Sequence, residues 1–544
     1  MKTQADLTTS RTERGQPCPR QFRRTKHADK AVRAPFVNLS CAKACVLVVS
    51  AMVLVLAQNA FATDYEQNIE KTFKVTPGGE LKVEADRGSV NVTTDQRDEA
   101  QIRVFRKVKG GSKADADELF ANHIVTLSQE GNKVIVVASN KTNKTFSWSR
   151  NRPGLEVRYE IYIPKRFGVN LKTAGGDIRM GGLEGNAVAR TSSGAIEFKS
   201  VSGKAEVSDA GGDIRIDEVG GSVAARTSSG SIHVTKANGK MELSNAGGDI
   251  AVGDAGAEVT ASTSSGGIKI GSARGAVDVK NAGGDVAVAM AGGDVRASTS
   301  SGSIRVGNAK GKEVVLKNAG GDIEVTSAEG NVSAETTSGA IKIHSAKGDV
   351  LAKDAGGDIT VGNAVGELKA QTSSGTIKVK AAKGKAEIKN SGGSIELAEA
   401  GSDATLSTTS GNISIGKGSG RVEARNAGGS IEVEAARDSV QAHTSSGEIK
   451  VGFAGALKGD SHLEVSGGSI KVGLPRGVGV DLDARASGGK VVSDAPVAVV
   501  VQGEHRGNGL QGKIHGGGPA LVLRASSGDI RLSESGEQRA EEGP

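Results

Sequence analysis

From Asp177 onward, apolar residues recur at the second and fourth positions of a nine-residue unit, with polar residues between them and a glycine at the ninth. DIRIDEVGG, SVAARTSSG, SIHVTKANG and KMELSNAGG follow one another without a gap. The alternation predicts a half-buried strand of four or five residues, and the closing glycine predicts a tight corner. A short strand with one apolar face cannot bury that face alone, so unit must stack on unit. The expected fold is all-β, a right-handed parallel β-solenoid (β-helix), because parallel crossovers wind right-handed. Units of nine fill 177–311, one ten-residue unit (KEVVLKNAGG) occupies 312–321, and further units fill 322–447.

A longer period lies above the nine. Corners of AGG type alternate with SSG or TSG corners. Ile178, Ile196 and Ile214 therefore recur at every eighteenth position, and each corner type at every thirty-sixth. Coils of the shorter period would be flattened two-sided rolls. Coils of the longer period would stack like on like, Asn281 near Asn318 and Thr263 near Thr299. Homogeneous side-chain ladders favour the longer coil. Repulsion among Asp177, Asp213 and Asp249, which would then lie ~4.8 Å apart, favours the shorter. The expectation leans to the 36-residue coil over the 18-residue one.

Residues 63–170 do not follow the rule of nine. Alternating segments such as ELKVEA (80–85), SVNV (89–92) and LEVRYEIYI (155–163) predict a β-rich N-terminal cap. Lys113–His123 predicts one short helix. Tyr65, Phe73, Phe105, Phe120, Phe146, Trp148, Tyr159, Tyr162 and Phe167 concentrate conventional packing there and cover the exposed end of the sheet. The regular solenoid is expected over 171–447. Irregular C-terminal coils follow over 448–533, with Ala525–Leu532 as the last coil, and 534–544 is expected to be a disordered charged tail.

The N-terminus changes the picture of location. Residues 1–43 are polar and basic, Ala44–Ala57 are apolar, and Ala60-Phe61-Ala62 ends on small residues. The apolar run is short of the ~20 residues that span a bilayer. The pattern predicts a signal peptide over 1–62, cut before Thr63, and an extracytoplasmic protein, secreted, periplasmic or in the cell envelope. An uncleaved anchor is the alternative. Cys18, Cys41 and Cys45 all precede the cut, so no disulfide or thiolate metal site is expected in the mature chain, and neither is an integral span.

Charge follows the same division. Residues 1–62 carry 10 Lys/Arg against 3 Asp/Glu, which is the whole of the net charge of +7. The remainder is neutral, which argues against a nucleic-acid partner, and has few aromatics, which leaves little stacking surface for single strands or for sugars.

PGGELKVEADRGSVNV, VRYEIYIP, the recurrent AGGDI and TSSG corners, and the closing GPALVLRASSGDIRL give the chain a resemblance over roughly 65–533 to the bacterial putative-adhesin family of secreted β-solenoids, largely domains of unknown function. The resemblance implies a β-helical envelope protein with an adhesion or scaffold role.

Candidate chemistry is sparse. Calcium-binding nonapeptides place Asp within a G-G-x-G-x-D turn. Here Asp follows Gly-Gly directly, as at Asp177, and the alternate corners offer only Ser and Thr. The Asp is therefore expected to open the strand and accept hydrogen bonds from corner amides. The histidines (27, 123, 233, 344, 443, 462, 505 and 515) show no metal-ligand spacing. Serines without an oriented base are not nucleophiles, and interchangeable rungs provide no singular site. No catalytic, cofactor-binding or metal residues and no cofactor are expected. The reading is a non-enzymatic solenoid presenting an extended repetitive face to an envelope polymer or protein. Its alternatives are a carbohydrate-active β-helix enzyme and a self-associating envelope scaffold.

Overall fold

The structure, a computed structural model, describes residues 64–141, 154–499 and 508–535. The expected signal peptide, the part of the expected tail beyond 535, Phe146 and Trp148 lie outside the described residues, whereas Glu534 and Ser535, expected in the disordered tail, continue the strand Ile530–Ser535.

The chain forms a parallel β-solenoid of about 17 turns. Each regular coil is two strands long. Ile214–Val219 lies in one sheet, the corner follows, and Val223–Thr227 lies in the second sheet. Ile214 pairs in parallel with Ile196 on one side and Ile232 on the other, and Val223 pairs with Ala205 and Met241. The register therefore fixes the 18-residue coil, and the leaning to the 36-residue coil is corrected.

The 36-residue period is a pair of unlike coils, and its physics is visible inside the second sheet. Ala189, Val207, Ala225, Leu243, Ala261 and Val279 follow one another in register. All six are buried. Small and large side chains thus alternate up the column and interdigitate across a narrow core. The repulsion problem also dissolves. Asp177, Asp213 and Asp249 are two coils apart, and each carboxylate accepts a hydrogen bond from the backbone of the coil between: Ala195 N at 2.9 Å, Ser231 N at 2.7 Å and Gly267 N at 2.7 Å. The corner role expected for these Asp residues is the one they play.

Each rung buries a similar set of side chains. Ile214, Ile216, Val219, Val223 and Ala225 are each at most 1% exposed. Burial of one such Ile or Val contributes about 1.5–3 kcal/mol. The ten-residue unit leaves this stacking intact. Its additional residue sits in the corner before Val314, where Asp294 Oδ1 accepts from both Lys312 N (2.8 Å) and Glu313 N (3.1 Å).

The corner glycines are fixed by the stacking distance. A Cβ on Gly212 would lie 1.9 Å from Gly194 O, and one on Gly357 would lie 1.8 Å from Gly339 O. The first glycine of the same AGG corners is free of this contact: a Cβ on Gly356 would come no nearer than 3.5 Å to Thr337 O.

Both ends interlock out of sequence order. The cap comprises β1 (Tyr65–Lys74), β2 (Gly79–Ala85), β3 (Ser89–Asp95), β4 (Glu99–Lys109), helix α1 (Lys113–Asn122), β5 (His123–Glu130), β6 (Lys133–Asn140) and β7 (Gly154–Pro164). β8 (Phe167–Thr173) and β9 (Ile178–Leu183) begin the regular stack. The coil β2–β3 is inserted between β6–β7 on one side and β8–β9 on the other. Antiparallel β4 and then β1 close the first sheet, and antiparallel β5 closes the second. The edge strand β1 (YEQNIEKTFK) is mostly charged or polar and exposed, which discourages edge-to-edge pairing. Helix α1 forms where expected, with Ser112 as its N-cap in a capping box with Asp115.

At the other end, Ala520–Ser527 pairs with both Ser461–Gly467 and Val480–Ala486, and Ile530–Ser535 pairs with both Ile470–Pro475 and Val491–Ser493. The segment expected as the last coil is thus inserted beneath an earlier one. Antiparallel Gly509–Ile514 and Val497–Val499 close that end of the second sheet.

Candidate functional site: sheet faces, corner ladder and cap cluster

Three arrangements carry polar chemistry. The first is the corner ladder at the end of each strand of the second sheet. Thr191, Thr227, Asn245, Thr263, Asn281 and Thr299 are 5–7% exposed, so their polar atoms need partners within the protein. Thr227 Oγ1 donates to Gly212 O at 3.0 Å, and Asn245 Nδ2 donates to Gly230 O at 2.6 Å. Both reach the corner glycine of the preceding coil, so Thr and Asn perform one task by turns. The ladder is a structural brace and leaves no hydroxyl oriented by a base.

The second arrangement is the pair of outward faces. On the first sheet, opposite charges meet from coil to coil: Arg179–Glu197 (3.3 Å), Lys236–Glu218 (3.0 Å), Lys378–Glu396 (3.2 Å) and Lys450–Glu432 (2.7 Å). These are exposed pairs and contribute little individually. A shallow groove of about 930 Å³ crosses this face and is lined by Lys378, Lys380, Glu396, Lys417 and Glu434. On the second sheet a groove of about 620 Å³ runs beside the corner ladder between Ser208 and Ala282.

The third arrangement is singular. At the cap, His123 (1% exposed), Tyr159 (0%) and Arg106 (6%) come together with Asp86 and Arg87. His123 Nε2 lies 3.2 Å from Asp86 Oδ1. Arg106 Nη1 donates to His123 O (2.8 Å) and Phe120 O (3.1 Å), and Nη2 donates to Gln67 Oε1. Burial pushes the His123 pKa below its ordinary value, outweighing the attraction of Asp86, and burial pushes the Tyr159 hydroxyl up. The imidazole is therefore neutral at physiological pH. The cluster ties β4, β5, β7 and the β2–β3 corner together. Tyr159 Oη and His123 Nδ1 make no hydrogen bond among the described residues.

The remaining histidines are dispersed. His233 and His344 are exposed on the first sheet, the latter 3.1 Å from Glu324, and His515 contacts Glu534. His27 and His505 lie outside the described residues. His443 and His462 were separate by spacing, yet both approach Glu464 Oε2, at 3.4 and 3.7 Å. The loop after Phe453 lengthens that coil, so that Gln441 pairs with His462, and this irregular step hides the neighbourhood from the sequence. Among the described residues no group of three or more His, Cys, Asp or Glu could hold a metal ion, and no helix is long and apolar enough to cross a membrane.

Two-stranded 18-residue coils, a braced corner and closed ends define a β-solenoid. The chain belongs to the Toastrack DUF4097 family, whose model matches residues 80–286, 272–400 and 362–533. No curated protein matches it. Among solved structures, a "putative cell adhesion protein" from Clostridium sporogenes is 8% identical and covers 86% of this chain and 100% of its own, with a TM-score of 0.13. A "putative adhesin" from Bacteroides fragilis is 13% identical and covers 53% of this chain and 97% of its own, with a TM-score of 0.18. At those scores the likeness carries no further argument.

Proposed function

We propose that the protein is a non-enzymatic, extracytoplasmic solenoid of adhesin type that binds a cell-surface or envelope polymer through a repetitive face. The observation that carries this reading is the register. Outward positions recur coil after coil at the ~4.8 Å spacing of paired strands, so a polymer lying along the stack meets several coils at once. Weak contacts then add along one rigid body, as in multivalent binding. The signal peptide over 1–62 belongs to the same proposal and places the mature start near Thr63.

The test is a set of chains lacking one, two or three 36-residue pairs of coils, each assayed for retention on envelope fractions. Retention that declines gradually with length supports the reading. Retention abolished by a single point substitution, or glycan degradation by the purified chain, overturns it. N-terminal sequencing of the extracytoplasmic protein checks the start, and recovery only as a full-length inner-membrane protein refutes it.

A further inference from the structure

We infer that the groove on the second sheet between Ser208 and Ala282 binds an extended, carboxylated polysaccharide lying along the solenoid axis. This rests on the proposed surface-binding role and supplies the chemical class of the partner.

The charge pattern of one column points there. The outward residues next to the corner ladder fall into register from Lys172 to Lys317, and this stretch holds five cations, four serines and no acid. The chain beyond residue 62 is neutral overall; the opposite sheet carries a shorter run, three cations and no acid from Arg215 to Arg305, in which Arg215 and Lys269 also form no ion pair among the described residues. The two central cations of the second-sheet column, Arg226 and Lys280, are exposed and form no ion pair among the described residues, whereas Arg190 is held by Glu206 at 2.8 Å. Asp278, two residues before Lys280, does not line the groove. Asp209 does, but it is only 5% exposed and its Oδ1 is taken up by Gly211 N.

Geometry selects the ligand. Arg226 and Lys280 are three coils apart, about 14 Å at ~4.8 Å per coil. Between them the groove offers Ser244 and Ser262 from the column and Ser228 and Ser264 from the corner row. None of these hydroxyls is engaged in a hydrogen bond among the described residues. Cations joined by free hydroxyls match a chain of carboxylated sugar rings, in which spaced carboxylates meet the cations and ring hydroxyls meet the serines between them, the guanidinium offering its paired N–H groups to one carboxylate. The bases of a nucleic acid call for aromatic platforms, and no aromatic lines the groove.

Affinity electrophoresis of the mature chain through gels containing polygalacturonate, with dextran and polyadenylate gels in parallel, tests the inference. Retardation by polygalacturonate alone is expected, weakening as salt is raised. The double variant Arg226→Ser/Lys280→Ser should bind about ten-fold more weakly, having lost two charge-assisted contacts. The double variant Arg215→Ser/Lys269→Ser removes the same charge from the first sheet and should bind as the parent does. Equal melting temperatures for both variants confirm that each is folded. No retardation, equal loss in both variants, or preference for polyadenylate overturns the inference. A parent chain retained on envelope fractions but not retarded by polygalacturonate overturns this inference, while the proposed function stands.

Discussion

Asp209 occupies a place in the corner ladder where neighbouring coils carry Thr or Asn, and replacing it by Asn should stabilise the protein. At Asn245 the amide does two things: Nδ2 donates to Gly230 O at 2.6 Å, and Oδ1 accepts from Gly247 N at 3.1 Å. Asp209 keeps only the second, accepting from Gly211 N at 3.0 Å. Its Oδ2 stands where the amide nitrogen would be, toward Gly194 O, buried and without a hydrogen-bond partner. An ionised carboxylate there sets oxygen against oxygen. Burial accordingly raises its pKa above the ordinary 3.8, although amides of Gly211, Gly212 and Ala210 pull the other way. A buried polar atom left unsatisfied costs about 1–3 kcal/mol, and Asp209→Asn restores the missing donor without changing shape. The variant should therefore gain about 1–3 kcal/mol at pH 8.

The pH dependence distinguishes this cause from others. Folded Asp209 holds its proton to higher pH than the unfolded carboxyl, so the folded chain binds more protons in the window above 3.8. Stability of the parent falls as pH rises through that window. The amide does not titrate, so the advantage of the variant should be absent below about pH 3.8, grow through the window and then stay constant. Peptide-level hydrogen exchange of the coils around residue 209, normalised for intrinsic exchange, reads the effect locally, which matters in a repeat protein that need not unfold in one step. Asp354 Oδ2 is likewise buried without a partner, so Asp354→Asn should also stabilise at pH 8. Exchange in either variant that is unchanged or faster at pH 8 would refute the reasoning.

Further expectations concern the stack and the cap. Gly357→Ala places a methyl 1.8 Å from Gly339 O and should cost roughly 1–3 kcal/mol, whereas Gly356→Ala, with 3.5 Å of clearance, should stay within about 1 kcal/mol of the parent; urea unfolding compares them. His123 has its pKa depressed by burial from 6.5, so stability is full above that value and is lost as pH falls below it; melting temperatures at pH 7.5 and 5.5 should differ less in His123→Gln than in the parent. Removing residues 213–248 preserves the alternation of Thr with Asn or Asp and of small with large, whereas removing only 213–230 stacks Val207 on Leu243 and Asp209 on Asn245. The shorter deletion should therefore melt lower despite keeping more of the protein, and the reverse order would refute the pairing of unlike coils.

What the sequence disclosed and what it concealed divide along one physical line. Strand phase, inward residues and corners were legible because each is fixed within a single nine-residue unit: Ile214 and Ile216 face inward whichever coil they belong to. Coil size was not, because it depends on which rung a side chain meets. Thr227 satisfies the glycine of the coil before it as Asn245 does, so an alternating column is as well bonded as a homogeneous one, and ladders of identical residues were the wrong criterion. The basic column through Arg226 and Lys280 becomes visible only after the 18-residue register is known, since in the chain its members are separated by a full coil. The ends were illegible for a different reason. In the array, each coil stacks on its sequence neighbours, and periodicity announces the partner. At the ends that rule is suspended: β2–β3 inserts after β7, and Ala520–Ser535 inserts beneath the coil formed by Val480–Ala486 and Val491–Ser493. A terminal coil of a solenoid has neighbours on one side only and frays first. Inserting a chain-terminal coil one layer in means that it cannot peel away without parting two interfaces, while the outermost layer is formed by antiparallel strands whose charged or short edges discourage further stacking.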